Sequence, residues 1–296
     1  MKTALYLIIA TILWGLNFHL AKVMLHYSPA MVAGFLRYLF AVIALLAVAF
    51  KDLPKWSLIK NNLGPLLFIG IVGLFGFNFF FFLGLKYTTA VNASLIGSLN
   101  PALTLLLSMI ILKTKISFSQ LIGVVIAFIG VVLLVTKGHF FNLFQTIFSK
   151  GDLYILTANV LFSLYHVYVK KQSGKIATMH LTVITNVLCF LMFALILPFQ
   201  DISNIANYPQ PFWLSVIGIG VLGTALAYYA WNKGVALIGA AQAGIYMNVV
   251  PLTAVLFSFL FGEQLFMYHL LSFIIIITGL LLMQLQPVFF KKNGGA

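Results

Sequence analysis

Residues 121–135 read LIGVVIAFIGVVLLV, an apolar run with no charged side chain. A strand of a membrane barrel alternates apolar and polar residues, and this run does not. A helix satisfies its backbone hydrogen bonds within its own segment, so it is able to cross lipid. The run therefore predicts a transmembrane helix.

Runs of this kind recur along the whole chain, and about 20 apolar residues suffice to cross the hydrocarbon core. The residues are 62% hydrophobic and 7% charged, with a mean hydropathy of +1.11. A soluble domain carries roughly 25% charged residues, because water must wet its surface. We expect an all-α polytopic membrane protein with ten transmembrane helices. The predicted spans are residues 4–24, 30–50, 64–85, 90–112, 117–136, 152–171, 179–199, 212–233, 239–262 and 267–286.

Lysines at the ends of these spans predict the orientation. Placing the N-terminus inside leaves only Lys86, Lys137 and Lys150 outside, and short cytoplasmic loops normally carry the excess of basic residues. The lysines that then lie inside are Lys2, Lys51, Lys55, Lys60, Lys113, Lys115, Lys170, Lys171, Lys175, Lys233, Lys291 and Lys292. We predict a multi-pass protein of a bacterial inner (plasma) membrane with both termini cytoplasmic.

The distribution of the basic residues also indicates which binding partners to expect. The net charge is +13, but the basic residues are dispersed over span ends and form no solvated basic face, so we expect no nucleic-acid partner. Lys2 and the apolar run behind it lack a small-residue cleavage pattern, and we interpret them as the first span. Cys189 is the only cysteine, which leaves no disulfide framework and no thiol metal site. We expect no cofactor and no metal; the lipid bilayer and a small-molecule substrate are the expected partners, and the oligomeric state is left open.

An internal repeat emerges when the sequence is shifted by 150 positions. Spans three and four then align with spans eight and nine, and glycines in both permit close helix packing. The matching pairs are Gly70 with Gly220, Gly73 with Gly223, Gly84 with Gly234, Ala90 with Ala240, Ala93 with Ala243, Pro101 with Pro251 and Ser108 with Ser258. Because five spans is an odd number, the two halves enter the membrane from opposite sides, as in many secondary transporters. We predict a first five-helix repeat at 1–137, a connecting loop at 138–151 and a second repeat at 152–290, sharing one bundle.

Several short motifs, in this order, carry a family resemblance. They are ILWGLNF at residues 12–18, Arg37, Asn100-Pro101, Pro251 and Gly262-Glu263. Together with the duplication they resemble the EamA-like branch of the drug/metabolite transporter superfamily. The resemblance implies a carrier, often an exporter of amino acids or other small metabolites, with its site between the halves. Lys113 departs from the family, where an acidic residue would be common, and this argues against a symmetric pair of carboxylates.

Pro101 and Pro251 lie near the middle of their spans. A proline within a helix removes the hydrogen bond to the carbonyl four residues earlier, here Gly97 and Met247. Paired interruptions of this kind indicate the binding site in transporters. The alternative is that each proline only kinks its helix for packing.

Polar and aromatic side chains inside the spans are the candidate substrate ligands. The set comprises Trp14, Asn17, Asn78, Ser98, Asn100, Tyr165, Tyr228, Tyr246 and Asn248. The register of the repeat relates Asn78 to Tyr228, and a register near 148 relates Asn17 to Tyr165, so both pairs are expected at one cavity. Taken singly, each polar residue is equally well explained by an interhelical hydrogen bond.

Charged and titratable groups within the spans are few. Arg37 has three interpretations: it binds a substrate carboxylate, pairs with Glu263, or snorkels to the surface. No Asp or Glu lies at mid-span, which leaves His19 and His166 as candidates for proton coupling. A facilitator or exchanger of a neutral or zwitterionic solute is therefore favoured, with export as the expected direction.

Other classes of function are less well supplied. The chain has no HExxH metalloprotease motif and no GxSxG nucleophile elbow, so we do not expect an enzyme. A channel would be favoured by rings of charge around a symmetric pore, and none is evident. A channel and a membrane-embedded enzyme remain the alternatives to a carrier.

Overall fold

The computed structural model describes residues 2–138, 149–172, 174–238 and 245–284. Most of the predicted connecting loop lies outside these residues, as do the start of the predicted ninth span and the C-terminal Lys291 and Lys292. The side chain of Asn248 is also outside the description.

The described residues form helices and no strand. In chain order they are α1 Lys2–Tyr27, α2 Ala30–Ala49, α3 Trp56–Asn61, α4 Leu63–Tyr87, α5 Ala90–Gly97, α6 Asn100–Leu112, α7 Phe118–Val135, α8 Lys150–Gln172, α9 Thr178–Ile196, α10 at residues 210–238, α11 Val249–Leu260 and α12 Met267–Gln284. A 3₁₀ turn, Ile245–Asn248, precedes α11. Within the described part, seven segments are long and apolar enough to cross a membrane: α1, α2, α4, α5 with α6, α7, α9 and α10. The all-α, polytopic membrane fold is thus confirmed.

Local signals fix several helix ends. Ser117 caps α7: its hydroxyl accepts from the Gln120 backbone N–H, and the Gln120 side chain accepts from the Ser117 N–H. Such a capping box satisfies two of the donors that a helix start leaves open. Thr89 caps α5 by accepting from the Asn92 N–H. Pro29 precedes α2, where its missing N–H costs no helical bond.

Two π-helical segments widen α4 and α10. They span Phe68–Phe75 in α4 and Gly218–Leu226 in α10, so the first residues differ by 150 positions. π-Helical turns are rare and occur often at functional sites. Each segment packs against a different partner: the π segment of α4 lies on α8 and α9, and that of α10 lies on α1 and α2.

Glycines on α4 and α10 allow this close packing, because a Cβ at any of them would meet a neighbour. The contacts are Gly70 with Leu188, Gly73 with Tyr165, Gly84 with Ile155, Gly220 with Phe40, Gly223 with Asn17 and Gly234 with Leu7. The first three pairs correspond to the last three. In each case the glycine lies 150 residues later in the chain and its partner lies 148 residues earlier. The same packing therefore occurs twice, with the two registers read from the sequence.

The remaining helix pairs complete the bundle. The α1 helix packs on α10 and α11, while α8 packs on α4 and α6, and α2 lies against α9. The α7 and α12 helices contact each other backbone to backbone, where a Cβ at Gly279 would lie 2.5 Å from the Gly123 carbonyl oxygen. This arrangement leaves a space between α1, α2, α4, α8 and α10, into which the break between α5 and α6 opens.

Candidate functional site

A cavity of about 90 Å³ occupies that space. One buried water needs roughly 10–15 Å³ on this scale, so the cavity has room for a solute of several non-hydrogen atoms. Its polar wall consists of Asn17, Arg37, Ser98, Asn100 and Asn159. Aromatic rings form much of the rest: Trp14, Phe18, Phe77, Phe81, Phe162 and Tyr228.

The interruption before Pro101 forms one side of the cavity. The α5 helix ends at Gly97 and α6 begins at Asn100. The wall of the cavity includes Gly97, Ser98, Asn100 and Pro101. Since proline has no N–H, it gives no hydrogen bond to the Gly97 carbonyl. The break thus places Gly97, whose carbonyl receives no bond from Pro101, beside the cavity.

Side chains of α8 hold this interruption in place. The Asn159 amide donates to the Ile96 carbonyl at 2.7 Å, and the Asn100 amide donates to the Ser163 hydroxyl at 3.0 Å. The Ser163 hydroxyl in turn donates to the Asn100 carbonyl at 3.3 Å. These bonds satisfy buried polar groups that lipid could not satisfy, so the break is a supported feature of the bundle.

Asn17 and Arg37 are held by consecutive residues of the π segment in α10. The Asn17 amide donates to the Gly223 carbonyl at 3.0 Å. The Arg37 Nε donates to the Thr224 hydroxyl at 3.0 Å, and that hydroxyl donates to the Ile219 carbonyl at 2.8 Å. Both side chains line the cavity.

Aromatic contacts shape the rest of the wall. The Trp14 ring packs edge-on against Tyr228 at 5.6 Å and lies 5.1 Å from Trp231. Elsewhere in the wall, Phe77 of α4 stacks on Phe162 of α8 with ring centres 4.3 Å apart. Such rings provide an apolar surface and faces of negative electrostatic potential.

The structure brings together most, though not all, of the predicted ligands. Trp14, Asn17, Ser98, Asn100 and Tyr228 line the cavity, with Arg37 and Pro101. Beside Pro251, which is itself buried, the neighbours Met247 and Val250 reach the wall.

Asn78, Tyr165 and Tyr246 do not line the cavity. Asn78 donates to the Tyr38 hydroxyl at 2.6 Å and to the Leu74 carbonyl at 2.8 Å. Tyr165 is buried against Gly73 and stacks on Phe162. The residues related by the repeat thus make equivalent helix contacts, but only Asn17 and Tyr228 of these pairs line the cavity.

Arg37 and Glu263 do not form an ion pair in the described residues. Glu263 accepts from the backbone N–H groups of Ala90 and Val91, each at 3.3 Å, at the start of α5. A carboxylate at a helix N-terminus is stabilised by the unpaired N–H groups there. Arg37 faces the cavity instead.

The two histidines lie behind the wall. His19 Nε2 contacts the Ser258 hydroxyl at 2.8 Å, and its ring stacks on Phe261. His166 packs against Phe162 with ring centres 4.4 Å apart, and its Nε2 is buried without a hydrogen-bond partner in the described residues. Neither residue lines the cavity.

Sequence reasoning missed Asn159, Ser163 and Thr224. Asn159 satisfied the same criterion as the predicted asparagines, since it lies near the middle of a span, and this signal was available. Ser163 and Thr224 are small hydroxyl residues whose roles depend on their partners across the bundle. No local pattern distinguishes them from other serines and threonines in membrane helices.

Comparisons with known proteins agree with these observations. The family model of the EamA-like transporter family matches residues 1–136 and 149–285. The chain is 33% identical over 275 residues to the "Uncharacterized transporter YyaM" of Bacillus subtilis, covering 92% of this chain and 90% of the relative. It is 28% identical over 294 residues to a "Probable amino-acid metabolite efflux pump" of Salmonella typhimurium, covering 94% and 93%. One solved crystal structure, 19% identical, shares the fold with a TM-score of 0.65 over 95% of both chains.

Proposed function

The chain belongs to the EamA-like transporter family, and we propose that it exports a small neutral or zwitterionic, amino-acid-like metabolite across the plasma membrane by alternating access. General transporter function follows from the family. The class of solute, the direction of export and the plasma membrane as its location are our proposals.

The observation that carries the proposal is the composition of the cavity. It combines one basic residue, several amide and hydroxyl groups, and aromatic rings, and no carboxylate is among its lining residues. A cationic solute would need carboxylates, and a strongly anionic solute would need several basic groups. A solute with little net charge and a partly apolar body fits this wall best.

The proposed architecture is ten transmembrane helices in two inverted repeats, at 1–137 and 152–290, joined by the loop at 138–151. Three observations support it: the twice-occurring glycine contacts, the paired π segments and the two segments that the family model matches. Inverted repeats allow one packing to occur in two orientations, which is the physical basis of alternating access.

Contacts between the proposed halves suggest where the movement occurs. At one end of the bundle, Thr88 donates to Asp152 at 2.5 Å, and Glu263 accepts from the start of α5. At another loop, His180 contacts Asp52 at 3.3 Å. We propose that the Thr88–Asp152 contact and the contact of Glu263 with α5 lie on the outer side of the membrane. Both contacts would then break when the cavity opens outward.

A ligand screen followed by flux measurements tests the proposal. Purified protein is melted in the presence of individual amino acids, because a solute that binds only the folded state raises the melting temperature by mass action. Each stabilising solute is then followed in proteoliposomes, where a carrier gives a flux that saturates with concentration. Ion conductance without saturation would instead favour a channel, and chemical conversion of the solute would favour an enzyme.

A further inference from the structure

Arg37 is a buried cation that no acidic side chain neutralises. It is 3% exposed and lies at the eighth position of α2, roughly 10 Å along the helix at 1.5 Å per residue. Its side chain lines the cavity. Within the described residues, Thr224 is its hydrogen-bond partner, and the face of Tyr38 lies 5.6 Å from the guanidinium carbon.

The four acidic residues of the chain are all engaged elsewhere. Asp52 contacts His180, Asp152 accepts from Thr88, Asp201 accepts from Ser203, and Glu263 caps α5. A charged side chain within a membrane protein is costly unless it is paired or faces water. Arg37 thus has no acidic partner in the chain, and a group that enters the cavity is able to supply one.

Only the Nε side of the Arg37 guanidinium has a hydrogen-bond partner in the described residues. The Thr224 hydroxyl uses its proton on the Ile219 carbonyl and so accepts from the Arg37 Nε. The two terminal amino groups have no hydrogen-bond partner in the described part of the chain. An arginine oriented in this way presents donors in the planar geometry that matches a carboxylate.

The other half of the molecule builds the same packing without a charge. The register of 148 relates Arg37 to Thr185, whose hydroxyl donates to the Leu181 carbonyl at 2.8 Å within its own helix. The register of 150 relates Thr224 to Leu74, which is buried. Since α9 packs on the π segment of α4 with neither group, helix packing does not require Arg37.

Asn17 is held by the same segment of α10 as this cation. The Gly223 carbonyl can only accept, so the Asn17 amide nitrogen must face it. A Cβ at Gly223 would clash with Asn17 Oδ1, so this buried oxygen packs against the α10 backbone. The terminal amino groups of Arg37 are therefore the charged donors that this part of the wall offers to a solute.

We propose that Arg37 binds the carboxylate of the solute. This assignment rests on the proposed function and narrows it: the amino-acid-like solute carries a free carboxylate, which excludes a neutral polyol or an amine. The rings of Trp14, Phe18 and Tyr228 then receive an apolar side chain. Binding neutralises the buried charge, so Arg37 selects solutes that have a carboxylate.

The test compares amino acids with amides that lack the carboxylate. The probes are L-alanine, L-leucine and L-phenylalanine and their three amides, added to purified wild-type protein and to an Arg37→Met variant. We expect an amino acid to stabilise the wild type and its amide to bind at least tenfold more weakly. In Arg37→Met the same amino acid should bind at least tenfold more weakly, while the melting temperature without ligand should not fall, because an unpaired buried cation has been removed.

A matched control is Lys22→Met, which also removes a cation from a membrane helix but lies outside the cavity wall; it should bind the amino acid as the wild type does. An amide that binds as well as its amino acid, or full affinity in Arg37→Met, would overturn the assignment. If Arg37→Met does not fold, Thr224→Val decides. Weakened amino-acid binding in that variant supports the assignment, and unchanged binding overturns it by making Arg37 structural. Failure of every amino acid and every amide to bind or cross would instead refute the proposed function.

Discussion

Asn17 and Asn78 are two buried asparagines with different surroundings, and the difference can be measured. Asn17 lines the cavity, whereas Asn78 is enclosed by Tyr38 and Leu74. Replacing either by Leu leaves a buried group without its partner, which costs about 1–3 kcal/mol of stability. We expect both variants to melt earlier, but only Asn17→Leu to raise the KM for transport, by tenfold or more. An equal change of KM in Asn78→Leu would contradict the assignment of the cavity.

The sequence predicts which side chains are candidate substrate ligands, but not which of them line the cavity together. Asn17 and Tyr228 reach the wall, while their counterparts under the repeat, Tyr165 and Asn78, do not. The repeat relates backbone positions, whereas the cavity wall depends on side chains that differ between the halves: Phe77 and Phe162 line it on one side, and Trp14 and Tyr228 on the other. Of the three interpretations of Arg37, the pairing with Glu263 is absent from the structure, because Glu263 accepts from the start of α5 instead.

The helix interruptions at Pro101 and Pro251 are the elements that we expect transport to depend on. In the Pro101→Ala and Pro251→Ala variants, the new N–H is able to bond to the Gly97 or Met247 carbonyl and close the break. We expect transport to fall at least fivefold in each variant and further in the double variant, with a melting temperature unchanged or higher. The measurements are the initial rate in proteoliposomes and the thermal melt.

Pro29→Ala is a suitable control for these variants. Pro29 precedes α2 and lies outside the cavity wall, so its replacement should leave the transport rate unchanged. Wild-type rates in the Pro101→Ala, Pro251→Ala double variant would assign both prolines to packing alone.

Helix positions follow closely from the sequence, whereas their irregularities do not. The prediction of a span at 117–136 corresponds to α7, Phe118–Val135, because hydrophobic length and a capping motif are local signals. The π segments could not be predicted: the glycines at 70, 73, 220 and 223 indicate close packing, but the additional residue per turn depends on the helices that pack against them.

The orientation in the membrane is a property of the whole molecule. We expect single cysteines at Lys171 and Asp201, in a Cys189→Ser background, to react differently with an impermeant maleimide on intact cells. Asp201→Cys should be labelled from outside and Lys171→Cys only after lysis, because the basic loops remain in the cytoplasm. The background substitution removes the one native thiol, which is buried. Labelling of Lys171→Cys from outside would contradict the ten-span arrangement.

Fold class and family follow from composition, span pattern and motif order, all of which are distributed along the chain. Energy coupling cannot be predicted from these features, because it depends on whether His19 and His166 gain access to water as the molecule changes conformation. In the described structure both lie behind the cavity wall.

Counterflow in proteoliposomes tests this account most directly. Vesicles are loaded with an unlabelled amino acid that stabilises the protein, and the same labelled amino acid is added outside without any ion gradient. We predict transient accumulation of label that saturates with concentration and is lost in Arg37→Met. Two results would contradict the account: equilibration that rises linearly with concentration, or accumulation that requires an imposed pH gradient and is unchanged in a His19→Ala, His166→Ala double variant.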